Sequence, residues 1–163
     1  MAYNIPPATR IGHAHLKVAD IERSLKFYQD LLGFEITQRY GDEAVFLSAG
    51  GYHHHIGLNT WYSKNAPPAP MRSAGLFHVA ILYPSRKDLA TILRRLLNAD
   101  YRLTGASDHG VSEALYMNDP DGNGIELYWD RPRDQWPKDS SGQLQMGTEA
   151  LDIEGLLREL IEA

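Results

Sequence analysis

The chain has 163 residues, 43% of them hydrophobic and 23% charged, which suits one domain with a substantial core. A net charge of −5 argues against a nucleic-acid partner, because phosphate binding needs a basic patch. The absence of cysteine excludes disulfides, thiolate metal sites and cysteine nucleophiles, and fits a cytoplasmic location. No apolar run approaches the ~20 residues of a membrane span, and the proline-containing stretch Met1 to Arg10 is no signal peptide.

The first predicted strand is Ile11-Gly12-His13-Ala14-His15-Leu16. Side chains alternate across a strand, so His13, His15 and Lys17 share one face and Ala14, Leu16 and Val18 the other. Asp20 is a suitable N-cap for a helix whose apolar stripe is Ile21, Leu25, Tyr28 and Leu32 and whose C-terminus is closed by Gly33. Three strands are expected next, Phe34 to Tyr40, Ala44 to Ser48 and Tyr52 to Thr60, separated by Gly41-Asp42 and Gly50-Gly51. Within the last of these, alternation puts His53 and His55 on one face and His54 on the other.

A linker containing Pro67, Pro68 and Pro70 follows, and then the pattern repeats. The strand Leu76-Phe77-His78-Val79-Ala80-Ile81 places His78 65 residues after His13, at the matching position. Ser85 and Asp88 form a capping-box-like pair for a helix with Leu89, Ile92, Leu93, Leu96 and Leu97 on one face, ending near Asn98. Strands are expected at Tyr101 to Gly105, Glu113 to Asn118 and Gly124 to Trp129, with Asp119-Pro120-Asp121-Gly122-Asn123 as a turn. The unit is βαβββ, occurring twice: residues 10–62, a linker at 63–74, and residues 75–131, all within one domain of residues 1–163. The tail, 132–163, breaks regular structure with Pro132 and Pro137 and ends in a short helix from about Ile153.

Three polar groups sit where apolar residues are expected: His13, His78 and Glu126. If each helix covers the more hydrophobic face of its strands, all three point into one concavity. Burial of such groups is costly without a partner. Two imidazoles and a carboxylate make the facial ligand set of a non-haem Fe(II) site with open positions. His15 competes with His13, but its repeat partner is Ala80, so the internal symmetry favours His13.

Gly12-His13-Ala14-His15-Leu16-Lys17-Val18-Ala19-Asp20, Ser24-Leu25-Lys26-Phe27-Tyr28, Leu31-Leu32-Gly33-Phe34 and Asp119-Pro120-Asp121-Gly122-Asn123-Gly124-Ile125-Glu126-Leu127 resemble the opening and closing segments of the vicinal oxygen chelate superfamily. The implied fold is α+β, with two βαβββ modules forming an incomplete β-barrel around a metal site. Tyr52 to Asn59 and Asp108 to Tyr116 further resemble the extradiol ring-cleaving dioxygenases of the catechol 2,3-dioxygenase type. Tyr116 precedes Glu126 by ten residues, as in that family.

The resemblance implies His13, His78 and Glu126 as metal ligands, His54 as the acid–base residue and Tyr116 as a hydrogen-bond donor to a bound catecholate. His109, His15 and Asn59 are the expected substrate contacts. Fe(II) is the expected metal, with Mn(II), Zn(II) or Ni(II) as substitutes in a purified sample. The expected partners are a small aromatic diol, O2 and a second copy in a homodimer. The alternatives are a glyoxalase-like metal-dependent lyase or isomerase, which typically takes two ligands from each module, and a non-catalytic bleomycin-sequestering protein. Many of the dioxygenases carry two such domains, whereas this chain carries one.

Overall fold

The computed structural model describes residues 2–161. The chain divides into two units, Met1–Pro67 and Pro68–Ala163, so the division falls inside the predicted linker. Each unit holds its own sheet.

In the first unit the order is β1 (Ala14–Lys17), α1 (Ile21–Leu25), β2 (Glu35–Tyr40), β3 (Ala44–Ser48) and β4 (Ile56–Asn59). The strands lie side by side as β1-β4-β3-β2, with β1 parallel to β4 and the other neighbours antiparallel. Asp20 caps α1 by accepting from the Arg23 N–H at 2.7 Å. The helix then widens into a π-helical segment, Lys26–Leu31, with the Leu32 N–H reaching back to the Phe27 carbonyl. Gly33, at φ +88°, makes the left-handed exit expected of it. Leu16, Val18, Leu25, Phe27, Tyr28, Val45, Leu47, Ile56 and Leu58 form the buried core of this unit.

The second unit contains β5 (Val79–Leu82), α2 (Arg86–Asn98), β6 (Gly105–Asp108), β7 (Ser112–Asn118), β8 (Gly124–Asp130), β9 (Glu149–Ala150) and α3 (Ile153–Arg158). Its sheet runs β5-β8-β7-β6-β9, with β5 parallel to β8. Ser85 caps α2 as expected, accepting from the Asp88 N–H at 3.1 Å. Leu89, Ile92, Leu93 and Leu96 of α2 are buried, and the helix lies against β8 and α3. Alternation holds over the middle of β8: Ile125 and Leu127 are fully buried, while Glu126 and Tyr128 on the other face are only partly buried.

Glu113, the second residue of β7, is 3% exposed yet fully paired. Arg86 Nε and Arg131 donate to its two oxygens, each at 2.8 Å. Arg131 also reaches Asp108 at 2.6 Å, and Arg86 reaches Glu159 at 2.7 Å, so a chain of charges joins β6, β7, α2 and the end of α3.

Four strands begin several residues later than the sequence expectation. Strands β1 and β5 begin one residue after His13 and His78, so each histidine sits at a strand entrance rather than inside a ladder. Strand β4 begins only at Ile56, leaving His53, His54 and His55 in the connection before it. The strand expected at Tyr101 to Gly105 forms at Gly105–Asp108 instead, because residues up to Tyr101 close α2: Asp100 is left-handed at φ +50° and the Tyr101 N–H bonds the Leu96 carbonyl.

Candidate metal centre

Four of the expected site residues come together in the second unit. Glu126 lies on β8 directly opposite Tyr116 on β7, as the antiparallel register pairs them. Glu126 Oε2 is 2.8 Å from His78 Nε2, and the side chains are 12% and 32% exposed respectively. The Tyr116 hydroxyl lies within hydrogen-bond reach of two groups, Glu126 Oε1 at 3.0 Å and His109 Nε2 at 2.7 Å. Burial, then the Glu126 charge, pushes the Tyr116 hydroxyl up to about 12, so it remains protonated at any physiological pH.

The His78–Glu126 pair stands at hydrogen-bond distance, a spacing that two ligands of one ion also have. Two donors held about 2.0–2.2 Å from one ion at a right angle stand roughly 3 Å apart. The observed 2.8 Å separation matches that, and the imidazole N–H fills the same space by bonding the carboxylate. Gly124 makes the approach possible: a β-carbon there would collide with the Phe77 carbonyl oxygen and come within 3.1 Å of His78 Cβ.

In the first unit, five imidazoles gather near the start of β4. The His13 and His54 ring centroids are 4.4 Å apart, and His54 Nδ1 lies 2.8 Å from His53 Nδ1. Desolvation, followed by the neighbouring imidazoles with His13 first among them, lowers the His54 pKa and favours its neutral, proton-accepting form. The three consecutive histidines therefore divide by surroundings rather than by strand alternation. His55 Nδ1 accepts from the Ala49 N–H at 3.3 Å, while its backbone bonds Leu47 and Ala14, so His55 is committed to the loop. His53 is exposed, and its carbonyl accepts from the Thr37 hydroxyl at 2.8 Å.

His15 packs its ring between Phe46 and Trp61, at 5.7 and 5.5 Å, above Gly57. Asn59 is buried at the end of β4, where its side-chain oxygen accepts from the Trp61 N–H at 3.3 Å. Among the described residues, no group of three or more His, Asp or Glu side chains is gathered closely enough to hold a metal ion. Sequence reasoning missed the tail residue Gly147, whose carbonyl lies 2.8 Å from His109 Nδ1, and the part played by Gly57. A glycine pairing with a histidine across two parallel strands is the signal that marks Gly57, but it needs the register to be seen.

The parallel pairs of the two units share one register. Ala14 opposes Ile56 as Val79 opposes Ile125, so His15 and Gly57 in one unit match Ala80 and Glu126 in the other. Residues 10–127 match the model of the Glyoxalase/Bleomycin resistance protein/Dioxygenase superfamily, and the chain belongs to that family. It is 46% identical over 152 residues to a catechol-2,3-dioxygenase of Bacillus subtilis (strain 168), covering 93% of this chain and 52% of that protein. It is 30% identical to a biphenyl-2,3-diol 1,2-dioxygenase 3 of Rhodococcus globerulus, covering 74% of this chain and 63% of that one. The chain thus spans about half to two-thirds of the length of these relatives. A glyoxalase/dioxygenase from Nostoc punctiforme shares the fold, with a TM-score of 0.64 at 16% identity over 81% of this chain and 99% of that one.

Proposed function

We propose that the chain is an Fe(II)-dependent extradiol dioxygenase, cleaving the ring of a catechol-like substrate with O2 beside its vicinal hydroxyls. His13, His78 and Glu126 are the proposed ligands, His54 the acid–base residue, and Tyr116 a hydrogen-bonding partner of the substrate. His109, His15 and Asn59 are proposed to border the substrate. The similarity to ring-cleaving dioxygenases supports the reaction class.

The observation that carries this reading against a lyase of the same family is Gly57. It occupies the position of the first unit that corresponds to Glu126 in the second. A site that draws two ligands from each module would need a donor side chain there, and glycine has none. The donor set that remains is two histidines and one carboxylate.

When bound, a ferrous ion would supply Lewis acidity toward a diol hydroxyl and open positions for diol and O2. His54, neutral in its crowded surroundings, then takes a proton from a substrate hydroxyl and returns it later. Tyr116, protonated throughout, orients the substrate by hydrogen bonding. Glu126 offsets positive charge, and the Tyr116 hydroxyl stands between it and His109.

The test is aerobic incubation of Fe(II)-loaded protein with catechol and with 2,3-dihydroxybiphenyl, alongside samples loaded with Mn(II), Zn(II) or Ni(II). A yellow ring-fission product formed with stoichiometric O2 uptake is expected. Oxygen-independent turnover of a hemithioacetal, without ring cleavage, would establish the lyase instead. A homodimer is proposed as the working assembly, in keeping with the exposed Met71, Leu76 and Phe77 of the second unit, and light scattering tests it. A cytoplasmic location is also proposed; among the described residues no helix is long and apolar enough to cross a membrane.

A further inference from the structure

The family match ends at residue 127, yet the chain continues and returns to the second unit. Strand β9 adds to the edge of the sheet, pairing Ala150 with Ser107 and Glu149 with Asp108. Helix α3 buries Leu156, and Arg86 grips the helix through the Gly155 carbonyl and Glu159. Just before these anchors, the tail touches His109 twice. The Gly147 N–H donates to the His109 carbonyl at 3.1 Å, and the Gly147 carbonyl faces His109 Nδ1 at 2.8 Å. Pro137 closes over the next residue, where a β-carbon on Gly110 would come within 3.0 Å of the proline ring.

A carbonyl oxygen only accepts, so the hydrogen of this contact belongs to His109 Nδ1. In the neutral imidazole the other nitrogen, Nε2, is then an acceptor. Its neighbour is the Tyr116 hydroxyl at 2.7 Å, and the same hydroxyl stands 3.0 Å from Glu126 Oε1. One hydroxyl hydrogen therefore has two acceptors. The opposite His109 tautomer would put an N–H against the Tyr116 oxygen and commit the hydroxyl hydrogen to Glu126. Both ring nitrogens of His109 have partners, so the influence of its tautomer runs through Tyr116.

We infer that Gly147, in the tail, is a positioning residue of the site: its clasp holds His109 as the Nδ1–H tautomer and so makes His109 the acceptor of the Tyr116 hydroxyl hydrogen. This rests on the proposed dioxygenase reading only for its catalytic consequence. Tyr116 turned toward His109 leaves both Glu126 oxygens free of its hydrogen and offers the phenolic oxygen as an acceptor for a substrate hydroxyl. The tautomer itself is a property of the metal-free chain.

The experiment is long-range proton–nitrogen correlation of the histidine rings in the full-length, metal-free, nitrogen-15-labelled protein near pH 8, with His109 assigned by its loss in His109→Gln. The Nδ1–H pattern is expected at His109. Gly147→Pro removes the N–H that holds the tail to His109 and should move that signal toward the Nε2–H pattern. In the Fe(II)-loaded form it should lower kcat about tenfold while metal content and KM for 2,3-dihydroxybiphenyl stay unchanged, in the range typical of groups that orient a metal site. An Nε2–H pattern in the unmodified protein overturns the inference, and that measurement stands even if Gly147→Pro fails to fold. An unchanged Nδ1–H signal in a folded Gly147→Pro protein overturns it as well. The Nδ1–H pattern in a protein that cleaves no catechol would support the clasp and count against the proposed reaction.

Discussion

The parallel strand pairs of the two units, β1 with β4 and β5 with β8, have the same backbone register but opposite allocations of chemistry. At the matched crossing, the first unit puts His15 opposite Gly57, and the second puts Ala80 opposite Glu126. In each case one strand carries a long polar side chain and its partner carries a small residue. A β-carbon on Gly57 would stand 2.8 Å from His15 Cδ2, so the histidine ring occupies the volume that a side chain at that position would need. Cross-strand neighbours lie close enough that both cannot be large and project the same way. The duplicated scaffold thus keeps two equivalent places for a long polar side chain, and the choice of small residue decides which strand supplies it.

The sharpest way to break this comparison is to remove the polar side chain from each crossing. Glu126→Ala should strip the metal, lowering affinity by more than the roughly 10- to 100-fold lost on removing an orienting group, and abolish turnover. His78→Ala should behave likewise. His15→Ala should retain metal, since its repeat partner in the second unit is an alanine. Elemental analysis after dialysis against Fe(II) distinguishes them, and metal kept in full by Glu126→Ala would remove the ligand assignment.

The units also differ in what ties them together. The second holds a buried carboxylate, Glu113, between two arginines that in turn bind Asp108 and Glu159. Glu113→Ala leaves Arg86 and Arg131 facing each other without their shared acceptor, and should destabilise the second unit by about 3–5 kcal/mol, as measured by urea unfolding. A loss under about 1 kcal/mol would show that Asp108 and Glu159 suffice for the two arginines.

How much of this could be read from the sequence depends on the range of the interaction. The two modules, both helix caps and the alternation in β8 were legible, because each is set by residues a few positions apart. The Glu113 web was not, since Arg86, Glu113 and Arg131 are brought together only by the β7–β8 pairing and the placement of α2. The His53–His55 run was misjudged as strand. Its hydrogen bonds to Leu47, Ala14 and Thr37 come from three other segments, which hold it as a connection and leave His54 beside His13. The Gly147 contact lies 38 residues from its partner in a tail of little periodicity, so nothing local announced it.

Two glycines, Gly57 at the first crossing and Gly124 two residues before Glu126, give a smaller and more pointed contrast. Gly124→Ala forces the new methyl against backbone, at Phe77, with His78 beside it, and should cost about 1–3 kcal/mol and weaken metal binding. Gly57→Ala meets the His15 ring first, a side chain that can rotate away, so metal content should hold while the His15–Trp61 contact is lost. Tryptophan fluorescence follows the second change. Equal loss of metal in the two variants would show that the crossings are coupled rather than independent.

The smallest expected effect belongs to Tyr116→Phe. The phenol contributes one hydroxyl between His109 and Glu126, and a single such hydrogen bond is worth about 0.5–1.5 kcal/mol, or up to roughly tenfold in rate. The ring stays, so the β7 packing and the His78–Glu126 pair stay, and metal content should match that of the unmodified protein. Because burial and Glu126 hold the hydroxyl protonated up to about 12, its loss removes a hydrogen bond and not a titrating group. The ratio of the two turnover rates should therefore be constant from about pH 6 to 9, a range that lies below the ordinary tyrosine pKa of about 10. A ratio that changed with pH there would make Tyr116 a proton-transfer group in its own right, and would shift the acid–base role away from the first unit's His54 toward the second unit.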